Sequence, residues 1–340
     1  MSNELLCYRA RLAPEPLFLV SMGRAGSTLL YALLNKHPQV ALTFEADLLC
    51  LRTVFAKPRR MLDWRKRWEF HNQALSRHGL MEQDLPAYVR DCPSAFRAAH
   101  QVFAQKKGAT IWGDKSPSYF DRLDWIAREF PHARFIILWR SPHDTVNAVL
   151  RAEAAGSAHF KRKGSVTREL FGYELLKTQC DRLIARAKAV LQLNYEDLLE
   201  DTEGTMREVC RFLRIPYLDC VSSLEGADRS AIWEGQHHAY ARGNVIVREK
   251  RPDLVSPSLR AKITRYVSWW HHKHGTLWPP RPLSDSNCVP GPSALERLLD
   301  AGRFRLVRAK DKISWIAFAF VPLWILQLYR SLRRGRNVFG

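Results

Sequence analysis

No two cysteines of this chain stand in a C-x-x-C arrangement, and the seven present (Cys7, Cys50, Cys92, Cys180, Cys210, Cys220 and Cys288) are odd in number and widely scattered. That distribution argues against a metal cluster and against a disulfide framework, and it suits a reducing, cytoplasmic compartment. The opening residues "MSNELLCYRARLAPEP" lack an apolar stretch long enough for a secretory leader, so none is expected. Acidic residues are scarce too: 34 Asp and Glu against 53 Lys and Arg leave a formal net charge of +19. Such an excess selects anionic partners, whether nucleotides, nucleic acid, sulfated or phosphorylated substrates, or a membrane surface. There is no internal repeat. With 46% hydrophobic and 26% charged residues over 340 positions, the chain has the composition of one large or two small globular domains.

What the sequence does have is a strand, a glycine-containing turn and a helix in immediate succession. In "LFLVSMGRAGSTLL", residues 17–20 form a short branched apolar run suited to a buried parallel strand, and a helix starts near Thr28. A turn of this kind aims backbone N–H groups at one spot, where the helix macrodipole also favours negative charge. Gly23 and Gly26 permit positive φ, and Ser27 and Thr28 add hydroxyl donors. A phosphate or sulfate is the expected guest. The theme recurs: "VALTF" alternates like a short strand, "RFIILW" is a buried strand leading to a helix from Asp144, and "AVLQLNY" leads to a helix that Asp201 or Thr202 can cap. The fold class expected is therefore α/β, a P-loop-like central parallel sheet flanked by helices.

A magnesium-held triphosphate is disfavoured by two further absences. The turn has Ser27 where a Walker A loop needs Lys, its basic residue having moved forward to Arg24. The strand "RFIILWR" ends in Arg140 instead of a metal-binding Asp. A ligand with two separate anionic groups, one at the loop and one at Arg140, fits better. The His-rich "WWHHKHG" does not supply a metal site either, because His271, His272 and His274 cannot face one point on a helix. No metal is expected.

The two segments "RAGSTLL" and "FIILWRSPHDTVNAVL" resemble the loop and second-strand motifs of sulfotransferases that use 3′-phosphoadenylyl sulfate (PAPS), and "LNYEDLLEDTEGTMREVCRFLRIPY" resembles the later strand-helix segment of that family. The similarity runs over roughly residues 16–250. It implies that Arg24, Ala25, Gly26, Ser27 and Thr28 hold the 5′-phosphosulfate and that Arg140 and Ser141 hold the 3′-phosphate. The family carries a serine where this chain has Ala148, so neighbouring Asn147 or Ser141 is expected to replace the lost hydroxyl. Tyr195 is expected beside the nucleotide, and Arg248, in the basic glycine loop "HHAYARGNVIVREKRPDL", over it. By the same resemblance, closest to the branch that includes tyrosylprotein and bacterial sulfotransferases, Glu45 is the general base and Lys115 lies beside the transferring sulfonate. Each has a plainer alternative: Glu45 as the cap of a helix near Ala46, Lys115 as a salt-bridge partner of Asp114 or Asp121. The implied activity is sulfonyl transfer from PAPS to a hydroxyl or amine. Its rivals are a noncatalytic anion-binding protein with a degenerate loop and a P-loop kinase.

Residues 57–107 are basic and Trp-containing, with Pro86 and Pro93 as interruptions, and are expected as a helical insertion or lid within a domain spanning 1–292. The Pro- and Ser-rich stretch 279–292 closes that domain, and 293–340 follow as a basic and apolar tail. In it, "ISWIAFAFVPLWILQLY" (313–329) is expected as an apolar helix flanked by Lys310, Lys312, Arg330, Arg333, Arg334 and Arg336. Its length only just reaches the minimum of about 17 residues for a bilayer span. Basic residues on both sides favour an in-plane or re-entrant anchor on an anionic cytoplasmic surface over a crossing. Such an anchor admits a membrane-linked acceptor, and no nucleic acid is expected.

Overall fold

The structure, a computed structural model, describes residues 15–49, 64–156, 166–186, 188–232, 252–274 and 290–302, with isolated positions at 243, 244, 246, 304–306, 321, 322, 324 and 325. Five strands, β1 (Leu17–Ser21), β2 (Val40–Phe44), β3 (Ile111–Lys115), β4 (Arg134–Trp139) and β5 (Ala189–Asn194), form one sheet in the order β2-β3-β1-β4-β5. Every neighbouring pair is parallel. The expected α/β architecture is thus what the chain adopts.

The strands alternate between two cores. Leu17, Leu19, Val40, Leu42, Ile136 and Leu138 face α1 (Ser27–Leu34) and, further along the chain, Met206 and Val209. Phe18, Val20, Ala41, Trp112, Phe135 and Ile137 face the opposite layer. That layer contains α2 (Trp64–Arg77), α3 (Cys92–Lys107), α4 (Leu123–Glu129), α5 (Pro142–Ala154) and α6 (Val166–Ala185). The β2 strand departs from the half-exposed pattern its alternation suggests: all five of its residues are buried, although it ends the sheet. The cause is coverage on both faces, by α1 on one side and by α3 on the other. Pro93 does not interrupt a helix. It sits in the first turn of α3, where the missing N–H costs nothing, next to Asp91, whose carboxylate accepts from Ser94 N at 2.9 Å.

One close approach fixes the spacing of β1 and β3. Gly113 lies opposite Leu17, and a Cβ there would meet the Leu17 carbonyl oxygen at 1.8 Å. On the other side of β1, the chain leaves β4 through Arg140 into α5, whose N-cap is Ser141. From β5 it passes directly into α7 (Tyr195–Glu200) and then α8 (Thr202–Leu213), capped by Asp201 as the sequence suggests. The last long described helix, α9 (Pro257–His274), packs on α5 and α6, and residues 294–302 form a further helix against it.

Candidate functional site

The turn after β1 is built to keep backbone donors together. Ser21 Oγ donates to Ser27 Oγ at 2.8 Å, tying the strand end to the helix start, and Ala25 N closes the turn on Met22 O at 3.2 Å. Arg24 and Gly26 both have left-handed φ, 67° and 96°. The first N–H groups of α1 follow, at Ser27 and Thr28, where a helix offers no internal acceptor. Gly26 has a second duty that loop chemistry alone does not reveal: a Cβ there would lie 2.1 Å from the Tyr195 ring. Only a glycine lets Tyr195, brought by the β5–α7 junction, lie against the loop.

Tyr195 in turn carries a cation. The Arg140 guanidinium stands 4.5 Å from its ring centroid, and Arg140 Nη1 donates to Arg24 O at 2.9 Å. The carbonyl of Arg140 accepts from Tyr173 O–H at 2.8 Å, so the residue is held at both ends. Among the described residues its Nε finds no hydrogen-bond partner and is buried. Arg24 lies close enough to Arg140 and Arg151 to feel both: burial first, then the charges of Arg140 and Arg151, lower its pKa to about 10. A guanidinium nitrogen without a partner beside a ring of backbone donors fits an anion such as a phosphate. Arg151 was not among the residues the sequence singled out, since one arginine on a helix carries no motif.

Across β1 stands the second half of the site. Lys115, at the end of β3, is 1% exposed, yet its Nζ donates to Glu45 Oε1 at 2.6 Å and to Thr28 Oγ1 at 3.2 Å. Its ammonium also lies 4.1 Å from the Phe44 ring centroid. The structure therefore brings Glu45, Lys115 and the loop together. Residues 45–49 are not helical, the chain beyond lies outside the described residues, and Lys115 pairs with Glu45, Asp121 being held by Arg122 at 2.8 Å.

Asp114 instead holds the turn that presents Glu45. Glu45 and Asp47 have left-handed φ, 52° and 54°, and Glu45 N is fixed by Lys115 O at 2.8 Å. Asp114 Oδ1 accepts from Ala46 N at 3.3 Å, and Oδ2 from Asp47 N at 3.2 Å and Tyr119 O–H at 2.7 Å. Behind it runs a fully buried chain: Thr43 Oγ1 lies 2.7 Å from Asp114 Oδ1 and 2.8 Å from His100 Nε2, while His100 Nδ1 lies 2.6 Å from Phe96 O. A carbonyl requires Nδ1 to carry the proton. Thr43 Oγ1 donates to Asp114 Oδ1, so the Asp114 carboxyl collects four donors, from Thr43, Tyr119, Ala46 N and Asp47 N. Burial raises the Asp114 carboxyl and lowers His100 to about 4.

The remaining residues singled out by the sequence are occupied elsewhere. Ser141 caps α5 through Asp144 N at 3.4 Å, while its own N–H donates to Glu196 Oε1 at 3.0 Å. The Asn147 amide accepts from Leu254 N at 2.9 Å and donates to Pro252 O at 3.2 Å, clamping the 252–254 segment onto α5 beside buried Ala148. Arg248 lies outside the described residues. Among the described residues no group of three or more His, Cys, Asp or Glu is placed to share a metal ion. No described helix is long and apolar enough to cross a membrane, and 313–329 fall outside the description except for 321, 322, 324 and 325.

A profile of the sulfotransferase family matches residues 16–219, more than half of the chain, and the chain belongs to that family. Among curated proteins it is 29% identical over 209 residues to protein-tyrosine sulfotransferase 1 of Danio rerio, covering 60% of this chain and 54% of that protein. To protein-tyrosine sulfotransferase A of Caenorhabditis elegans it is 23% identical over 208 residues, covering 60% and 51%. The chain thus spans about half the length of the curated relatives it matches. Among solved structures, the sulfotransferase domain from the curacin biosynthetic pathway superimposes with a TM-score of 0.48 at 16% identity, covering 76% of this chain and 98% of that one.

Proposed function

We propose that the chain transfers a sulfonate group from PAPS to a hydroxyl or amine of an acceptor by in-line attack. The observation that carries this reading is the Lys115–Glu45 pair at 2.6 Å, set beside Thr28 of the anion loop. It puts a base and a cation within reach of one bound anion. Sulfonyl transfer needs both: a group to take the acceptor's proton and a positive charge where the bridging oxygen gains electrons. The loop N–H groups and Arg24 would hold the phosphosulfate, and Arg140, steadied on Tyr195, the 3′-phosphate. Lys115 would turn from Glu45 toward the leaving oxygen, which frees the Glu45 carboxylate to accept the proton. Asp114 is turned to Thr43, Tyr119 and the Ala46–Asp47 backbone, so Glu45 is the carboxylate that faces Lys115. Asn147 and Ser141 act in this reading as positioning residues.

Calorimetry with 3′-phosphoadenosine 5′-phosphate, chelator present and adenosine 5′-phosphate as control, tests the donor site. Micromolar binding that needs the 3′-phosphate is expected, and Arg140→Ala should weaken it ~10- to 100-fold, the worth of a hydrogen bond to a charged group. Equal affinity for the control would sink the assignment of Arg140 and favour a noncatalytic anion-binding protein. For the chemistry, Glu45→Gln is expected to lower transfer of radiolabelled sulfonate ~10²–10⁴-fold while leaving nucleotide affinity within a few-fold. We further read residues 313–329, apolar with basic flanks, as an anchor on the anionic cytoplasmic surface, with a membrane-proximal acceptor.

A further inference from the structure

The helix at 294–302 is docked the wrong way round for a water-facing element. It starts at Ser293, whose Oγ accepts from Glu296 N at 3.1 Å. Its polar positions face the protein. Asp300, 2% exposed, accepts from Tyr266 O–H at 2.9 Å and pairs with Lys262 at 2.5 Å, and Glu296 pairs with Arg265 at 3.0 Å. Farther on, Phe304 stacks on Phe171 of α6 at 5.4 Å. The apolar positions face outward: Leu295 is 65% exposed, Leu298 70%, Leu299 55% and Leu306 72%. A surface helix ordinarily turns such a stripe inward, so this one calls for a covering phase or partner.

Charge selects the partner. Both carboxylates of the helix are neutralised by α9, whereas the sequence from here to the apolar run adds Arg303, Arg305, Arg308, Lys310 and Lys312 against one acid, Asp311. Leucines followed in the sequence by an excess of cations suit an anionic lipid surface, and two copies face to face would oppose like charge on a chain of net +19. We propose that the Leu295–Leu298–Leu299–Leu306 face lies on an anionic lipid surface and fixes the orientation of the catalytic domain to it. The inference rests on the reading of the tail as a surface anchor. Its mechanical content is separate: α9 carries the helix through buried Asp300 and meets α5 through Thr264 Oγ1 and His143 Nε2 at 3.3 Å, so the lipid plane and the start of α5, just after Arg140, are joined by packed helices.

The test is co-sedimentation of the full chain with vesicles of phosphatidylcholine alone and of phosphatidylcholine with phosphatidylglycerol. Wild type should bind the anionic vesicles, and added salt should release it. Leu298→Ser combined with Leu299→Ser should bind at least ~10-fold more weakly, because two leucine side chains no longer leave water. Its melting temperature and nucleotide binding should match wild type, since both leucines are already exposed. Trp315→Ser combined with Phe318→Ser reports on the downstream run. If the leucine variant binds as wild type does while the Trp315/Phe318 variant fails, the anchor stands and the helix proposal is overturned. If wild type binds neither vesicle, both fall. A dimer in light scattering that the leucine substitutions dissolve, with vesicle binding intact, would assign the face to a second copy and overturn the proposal.

Discussion

At the scale of single residues, Asp114 gives the Glu45 turn its shape by accepting from Thr43, Tyr119, Ala46 N and Asp47 N. Asp114→Asn keeps one accepting oxygen but sets an N–H group against one pair of donors, so it should lower the melting temperature less than Asp114→Ala. Asp114→Ala strands buried donors at about 1–3 kcal/mol and should lower the melting temperature by several degrees. Nitrogen NMR of His100 gives a direct check on its burial: a ring still neutral at about pH 6 is expected, and an imidazolium there would contradict the lowered value. Burial also holds His78 near 3 and His100 near 4, below the ordinary histidine value. Between those values and about 6.5 the unfolded chain binds more protons than the folded one, so stability is complete above the ordinary value and is lost as pH falls. The raised Asp114 carboxyl works in the opposite sense and offsets part of that loss. Thermal melts between pH 7 and 5 should show a decline that His78→Gln, still able to accept from Phe44 N, reduces. Arg24, Arg140, Glu45 and Lys115 were legible in the sequence because each sits at a strand end beside a recognisable motif. Asp114 was legible only as a salt-bridge candidate, since its partners come from β2, α3 and the Pro117–Tyr119 turn and meet only when folded.

At the scale of elements, the strand-turn-helix unit after β1 was readable, but its dependence on the β5–α7 junction was not. Gly26→Ala should show that dependence. The new methyl meets the Tyr195 ring, and left-handed backbone costs a further ~1–2 kcal/mol. Nucleotide affinity should fall at least ~10-fold, and adding Tyr195→Ala should restore the fold but not the cation–π seat of Arg140. Melting temperature would then recover while calorimetric affinity stays low; full recovery of both would show that Tyr195 only packs. The β1, β4 and β5 strands announced themselves as apolar runs. The depth of β2 did not, because an alternating stretch gives no sign that helices will cover both of its faces. Pro93 misled for a related reason: proline marks a helix's first turn as readily as its breaking point, and the capping Asp91 decides which.

At the scale of the whole molecule, the sheet order β2-β3-β1-β4-β5 places β1 between the strands that deliver Lys115 and Arg140, so both ends of one nucleotide would be gripped from neighbouring strands. The net charge was plain in the sequence, but its division of labour was not. The charges of Arg140 and Arg151 reach half-buried Arg24, whereas a further run of cations follows the 294–302 helix in the sequence. Raising salt from about 0.05 to about 0.5 M should abolish vesicle binding while weakening nucleotide binding far less, because buried pairs are poorly screened. Similar losses in both titrations would place the nucleotide on the open surface. The leucine spacing of the 294–302 helix likewise shows a stripe but not the way it points, and only its docking on α9 settles that. The spacing of β1 and β3 is also set by one atom. Since even a methyl group at Gly113 would collide with the Leu17 carbonyl, any side chain there would push β3 off β1 and break their pairing. In a library randomised across β3 and sorted for soluble protein, position 113 should return one amino acid, while Ile111 and Trp112 on either core tolerate apolar substitutes.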